Sequence, residues 1–226
     1  MLRKGFTLAE VLITLGIIGI LAALTMPSLI MKANTAKIGP EMANAVSVLS
    51  NAIDMYMQDN NASSLVLAMR KSGVSDTSMQ NLLSTLLGEY IKGTSGVTVP
   101  STPVTTYNGA SGEGAQTLKP TVTTGIALSN KSLLVAETDC KFGTTKDASG
   151  NDITIDSCGV IFYTSGYAKK DQLVTARDMF KFTVTNKGEV IPYAADWNSK
   201  DCKSSGVGNG TTCAGRIAEK GWVVDY

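Results

Sequence analysis

From Val11 to Met31 the chain runs for 21 residues without one ionisable side chain. Wound as an α-helix at about 1.5 Å per residue, such a stretch reaches roughly 30 Å, the thickness of a bilayer's hydrocarbon core. It is long enough to span a membrane. Arg3 and Lys4 precede it, and the next cations are Lys32 and Lys37. The tendency of cationic flanks to stay inside therefore places the N-terminus in the cytoplasm and the rest of the chain outside.

The whole chain of 226 residues, with 43% apolar, 17% charged and 6% aromatic side chains, suffices for one ordinary domain with a modest core. The net charge of +1 supplies no basic field, so nucleic acid is not an expected partner. Histidine is absent from the whole chain. That removes Ser-His and Cys-His nucleophile pairs, His-ligated zinc and imidazole acid–base chemistry together. No catalytic residue, metal site or cofactor is expected.

Glu10 is the anomaly. A carboxylate near the start of a span costs about 2–3 kcal/mol on insertion scales unless it finds a partner or the interface. No Lys or Arg lies between Gly5 and Met31. The nearest conceivable cation within the segment is the α-amino group that a cut before Phe6 would create. In a helix beginning at Phe6, Glu10 lies over the first turn, where exposed amides and the positive dipole end also favour an anion. The competing reading is an interfacial carboxylate that only reaches for the headgroups.

The run Lys4-Gly5-Phe6-Thr7-Leu8-Ala9-Glu10-Val11-Leu12-Ile13 resembles the class III signal of type IV prepilins and type II secretion pseudopilins. The resemblance implies that a prepilin peptidase cuts between Gly5 and Phe6 and methylates the new Phe6 amine. It implies that Glu10 docks onto the N-terminus of a neighbouring subunit during assembly, and that Pro27 loosens the helix. The partners implied are that peptidase, other pilin or pseudopilin subunits, an inner-membrane assembly platform and membrane lipid. The implied product is a subunit held in the bacterial inner membrane by one helix, its head exported to the periplasm or cell surface. A type II secretion pseudopilus is favoured over a type IV pilus because no added adhesin domain is evident. An ordinary secretory signal fits less well, since the apolar run exceeds 7–15 residues and Leu21-Ala22-Ala23-Leu24 is a poor cleavage site. The rival class is a single-pass anchored or exported binding module that does not polymerise. A hydrolase is more distant, without histidine, a G-x-S-x-G elbow or closely paired carboxylates.

Glu41 to Gln58 places Met42, Ala45, Val46, Leu49, Ala52, Ile53 and Tyr56 on one helical face, with Glu41, Asn44, Ser47, Asn51 and Asp54 opposite. Gly39-Pro40 should break or kink the helix ahead of it, because proline lacks the amide donor and crowds the preceding turn. A second helical patch is read from Ser63 to Lys92. Gly93 to Asn130 holds thirteen Ser or Thr and six Gly but only Glu113 and Lys119 as charges, a loop-rich, exposed composition. Strand patterns follow at Ile126–Leu128, Leu133–Glu137, Val160–Tyr163, Phe180–Thr185 and Val190–Tyr193, with a hairpin at Asn186-Lys187-Gly188. The fold class is α+β: a long N-terminal helix packed on a small antiparallel sheet, as in pilins. Its expected parts are a leader over 1–5, a transmembrane and assembly helix over 6–31, its amphipathic continuation over 32–60, and an exported head over 61–226 with a loop-rich 93–130.

Cys140, Cys158, Cys202 and Cys213 all lie beyond the span, and an exported domain sits in an oxidising space. Of three pairings, Cys140–Cys158 and Cys202–Cys213 are preferred because each closes a short loop, with crossed pairing left open. The spacing lacks the C-x2-C of a zinc site. The stretch from Cys158 to Phe180 also resembles the heads of prepilin-like proteins, with Gly166 and Arg177-Asp178 matching. Thr164 and Ser165 stand where those heads often carry acidic or amide residues, and Ala176 stands for a glycine. Asp139, Asp147, Asp152, Asp156 and Asp171 lack EF-hand spacing and read as solvated loop carboxylates. From Cys213 a short helix and an apolar tail are expected, with Trp222 as a core anchor.

Overall fold

The computed structural model describes residues 7–98, 104–105, 124–137, 140–146, 152–169, 173–193 and 213–224. By internal contacts the chain divides into two compact units, Met1–Lys37 and Ile38–Tyr226. Helix α1 covers Leu8–Asp59.

Within the first unit, the large apolar side chains from Leu8 to Ile30 are exposed, and the most apolar window of α1 has none of its residues buried by the protein. An apolar surface without a protein cover needs another apolar environment. Length and composition make α1 the one helix among the described residues fit to cross a membrane. The helix starts at Leu8, with Thr7 immediately before it.

In the second unit, Ile38, Met42, Ala45, Leu49, Ala52, Ile53 and Tyr56 are buried, the face expected from their spacing. Helical structure runs through Gly39-Pro40, and through Pro27, so the expected break at Gly39-Pro40 does not occur. A single proline deletes one amide donor, while the buried face that resumes at Met42 holds the following turns in helical register.

The segment read as one patch from Ser63 to Lys92 is two helices, α2 (Leu65–Lys71) and α3 (Met79–Glu89). Each has its own N-cap: the Ser64 hydroxyl accepts from the Leu67 amide and the Ser78 hydroxyl from the Asn81 amide. Gly73, at φ +83°, turns the chain between them, a conformation glycine adopts without a side-chain clash.

The remaining elements are β1 (Gly93–Thr98), β2 (Val104–Thr105), β3 (Thr124–Leu128), β4 (Leu133–Ala136), β5 (Gly143–Lys146), β6 (Asp152–Ile155), β7 (Ser157–Tyr163), a 3-10 turn at Tyr167–Lys169, β8 (Leu173–Val174), β9 (Met179–Thr185), β10 (Val190–Pro192) and α4 (Cys213–Glu219). A six-stranded sheet has the order β1-β3-β4-β7-β9-β10, every neighbouring pair antiparallel. All five expected strands are present. The stretch taken as loop from Gly93 also contributes edge strand β1, paired with β3 across a register shift between Ser95 and Val97. Residues 99–103 and 106–123 of that stretch lie outside the described residues.

Phe180, Phe182 and Val184 alternate inward along β9, and Phe182 stacks on Phe162 of β7 with ring centroids 5.5 Å apart. This face packs with the buried face of α1 and with α2, α3 and α4 in the main core. On the opposite face Leu133, Val135, Tyr163, Tyr167, Leu173 and Met179 form a second, smaller cluster. The arrangement is α+β and pilin-like.

The β9–β10 hairpin turns at Asn186-Lys187-Gly188 with Gly188 at φ +91°. The Cys140–Cys158 disulfide is formed, with Cα atoms 5.7 Å apart. Cys213 is also disulfide-bonded. Its expected partner Cys202 lies outside the described residues, as do Asp139, Asp147 and Asp171.

Candidate functional site

Glu10 occupies the third position of α1, and its carboxylate finds partners inside its own first turn. Oε2 accepts from the Thr7 amide at 2.8 Å and from the Thr7 hydroxyl at 2.8 Å, while Thr7 Oγ1 accepts from the Glu10 amide at 3.3 Å. This is a reciprocal capping box, in which a Thr and a Glu three residues apart satisfy two of the four amides a helix start leaves unpaired. Its sequence signature, Thr7-x-x-Glu10 before an apolar run, is visible in the chain. Both side-chain contacts use Oε2, and among the described residues Oε1 has no protein partner. The carboxylate is therefore held in place with one oxygen available to a donor from outside the turn. Gly5 and Phe6 lie outside the described residues.

In the head, three further contacts fix the elements that α1 carries. Glu41 on α1 accepts from the amide of Ser165 at 2.8 Å and also from its hydroxyl, so the loop after β7 is bolted to the helix. The buried Asp178 carboxylate accepts from the Val174 amide at 2.9 Å and pairs with Arg177 at 3.2 Å. It thereby closes the turn in which Ala176 sits at φ +61°, the left-handed region that non-glycine residues rarely adopt. Gly39 is buried with the carbonyl of Trp222 directly over it, and a Cβ at that position would collide with this backbone. Trp222 itself is half-buried against the main core.

A cleft of about 550 Å³ lies between α3 and the sheet, with Asp76, Ser78, Asn81 and Gly125 among its walls. The Ser78 hydroxyl donates to Asp76 at 2.9 Å and holds this carboxyl below its ordinary range, and Lys141 pairs with it at 3.4 Å. No group of three potential metal-binding side chains occurs among the described residues. The arrangement offers contacts that shape the head and a membrane-type helix with a held carboxylate.

The prokaryotic N-terminal methylation motif matches residues 1–26, the segment that contains the capping box and the start of the charge-free run. In this segment the chain is similar to type II secretion pseudopilins. The pseudopilin likeness extends past the motif. Over 60 residues, 26% of this chain and 41% of the relative, it is 43% identical to the type II secretion system core protein G of Aeromonas hydrophila. Over 59 residues it is 41% identical to the same-named protein of Escherichia coli strain K12, covering 26% of this chain and 39% of that one. The corresponding protein of Pectobacterium carotovorum subsp. carotovorum is 39% identical over 59 residues, with 26% and 37% covered. The chain thus spans about two-fifths of the length of the curated relatives it matches. No solved structure matches it.

Glu41 and Gly39 were not singled out by sequence as contact sites. Glu41 reads as one more residue on a polar face, and its partner lies 124 positions away.

Proposed function

We propose that this chain is a structural pseudopilin subunit: anchored by α1, cut between Gly5 and Phe6, methylated on Phe6, and polymerised through the apolar helix into a type II secretion pseudopilus. The head would be exported and carry the filament surface. The observation behind this reading is the single carboxylate, Glu10, at the start of an uncovered apolar helix. One subunit offers it a capping threonine but no cation within the span. A neighbour's methylated α-amine would supply the cation to Oε1, and excluding water around the pair would strengthen it where the geometry is good. Methylation keeps that amine basic.

The pairing would also set the axial register between subunits, since each chain has one such anion and one such amine. The reading has no enzymatic step performed by the chain itself. N-terminal sequencing with mass determination of the membrane-extracted protein tests it. A methylated Phe6 supports the proposal. Met1 at the terminus indicates an uncut anchor, and a start near Met26 indicates a secreted module; either result overturns it.

A further inference from the structure

We propose that Asn61, in the turn between α1 and α2, is an N-glycosylation site of the folded head, its side-chain amide taking an oligosaccharide from a polyprenyl-diphosphate carrier. The inference rests on the exported-head reading above and adds a covalent modification to it.

Asn followed by any residue but Pro and then by Ser or Thr is the acceptor signature for this chemistry. It occurs in the chain at Asn61-Ala62-Ser63, Asn130-Lys131-Ser132 and Asn209-Gly210-Thr211. Asn209 lies outside the described residues, and the fold separates the other two.

The Asn130 signature is closed. Its Oδ1 accepts from the Ser132 amide at 3.0 Å and from the Ser132 hydroxyl at 2.6 Å, and Ser132 is fully buried in the β3–β4 turn. The hydroxyl that a transferase has to grip is therefore sealed in the head.

At Asn61 the backbone is held and the side chains are open. Helix α1 ends in a Schellman turn, in which the Asn61 amide donates to the Gln58 carbonyl at 2.8 Å and the Ala62 amide to the Met57 carbonyl at 2.9 Å, with Asn61 at φ +46°. Lys71 Nζ donates to the Asn61 carbonyl at 2.7 Å. The Asn61 and Ser63 side chains are exposed, and among the described residues no hydrogen bond engages either. Gln58, Arg70 and Lys71 are exposed as well, so a sugar attached here meets solvent. The helix end by itself accounts for an asparagine at position 61, since Asn tolerates the left-handed region. It does not account for the free hydroxyl at Ser63, because the cap of α2 is Ser64.

Asp59 adds a charge to the signature. It is exposed and stands two residues ahead of Asn61, where a cationic peptide groove can read it, whereas Leu128 and Val207 hold that place before Asn130 and Asn209. The Tyr90 hydroxyl donates to its Oδ2 at 2.7 Å, which leaves Oδ1 for the groove.

An amide nitrogen is a weak nucleophile, so the donor has to carry a good leaving group. In the transfer Asn61 Nδ2 attacks C1 of the first sugar, the C1–N bond forms and the C1–O bond to the carrier breaks. The polyprenyl diphosphate leaves with the electron pair, and one amide proton passes to a base of the transferase.

The test uses the full chain, produced in cells that carry a prepilin peptidase, a bacterial oligosaccharyltransferase and its polyprenyl-diphosphate oligosaccharide, then extracted from membranes and mapped by peptide mass. Asn61 should carry the glycan and Asn130 none. Ser63→Ala, which leaves the Ser64 cap in place, should lose the glycan, and Ser63→Thr should keep it. A bare Asn61 on chains that begin with methylated Phe6 overturns this inference and leaves the anchored-subunit reading standing. A bare Asn61 on chains that still begin with Met1 overturns both, while a glycan on such chains upholds this inference and overturns the processing alone. Glycan on Asn130, or glycan that persists in Ser63→Ala, would show that the turn does not select the site and overturns the proposal.

Discussion

Thr7 and Glu10 each bond to the other's backbone, the threonine hydroxyl accepting from the Glu10 amide and the glutamate from the Thr7 amide. The same carboxylate thus closes the helix start and, in the proposed filament, meets a neighbour's amine. The two roles differ in what they demand. Capping boxes accept Gln in place of Glu, whereas an ion pair does not.

Glu10→Gln should therefore keep helix start, processing and membrane residence while weakening each joint by about 1.5–3 kcal/mol, the worth of a hydrogen bond to a charged group. That is roughly a ten- to hundredfold rise in the subunit level needed for assembly. Thr7→Val should instead cost about 1 kcal/mol of helix stability and leave the charge in place. Counting filaments against subunit level checks both, and normal filaments from Glu10→Gln would remove the charge from the mechanism.

Gly39 and Trp222 make a second pair with opposing demands. In an isolated helix Ala is favoured over Gly by about 1 kcal/mol, but here a Cβ would meet the Trp222 backbone. Gly39→Ala should destabilise the head by about 1–3 kcal/mol, as overpacking does, and shift tryptophan emission toward that of exposed indole. Deleting residues 221–226 as well should make the same substitution neutral or stabilising. Thermal unfolding of the four combinations measures the coupling, and a Gly39→Ala chain more stable than its parent would show that the tail does not lie there.

The Cys140–Cys158 bond closes a loop with a sequence separation of 18, around the β5–β6 hairpin. Replacing both cysteines with serine should cost about 3 kcal/mol on the loop-entropy account. Cys140 and Phe142 also bond through their backbones to Met79 and Thr77 at the start of α3. Hydrogen exchange should therefore rise first in Gly143–Lys146, Asp152–Ile155 and the first turn of α3. Exchange that rises uniformly across the sheet instead would mean the bond does not act locally.

The core face of α1 and the inward alternation of β9 could be read in advance because each is a periodic pattern within one short segment. Met42 to Tyr56 repeats at three and four, and Phe180, Phe182 and Val184 repeat at two. Strand β1 carried no such signal: Gly93-Thr94-Ser95-Gly96 lacks apolar alternation, and its pairing with Gly125 to Leu128 supplies what its own residues do not. The Glu41–Ser165 bond joins positions 124 apart, beyond the reach of any local pattern. Ala176 was marked only by resemblance, as the residue where glycine is usual, and its positive φ supplies the reason. Thr7-x-x-Glu10 lies within four residues of sequence, and the cap it forms gives the Glu10 carboxylate a partner inside its own turn.

Two tyrosines should report the fold at high pH. Burial, aided by neighbouring Tyr167, pushes the Tyr163 hydroxyl up to about 12. A hydrogen bond to Asp59 at 2.7 Å does most of the same for Tyr90, also raised to about 12. Their ordinary value lies near 10. Between about pH 10 and 12 the folded chain keeps protons that the unfolded chain has released, so stability falls as pH rises through this window. The contribution is complete below about pH 10 and is lost as pH passes about 12. Urea midpoints should drop across that range, and Tyr163→Phe, which keeps the ring and removes the ionising group, should flatten the drop. Absorbance near 295 nm should show part of the chain's seven tyrosines titrating late. A single transition near pH 10 in the folded protein would mean that neither hydroxyl is held as described.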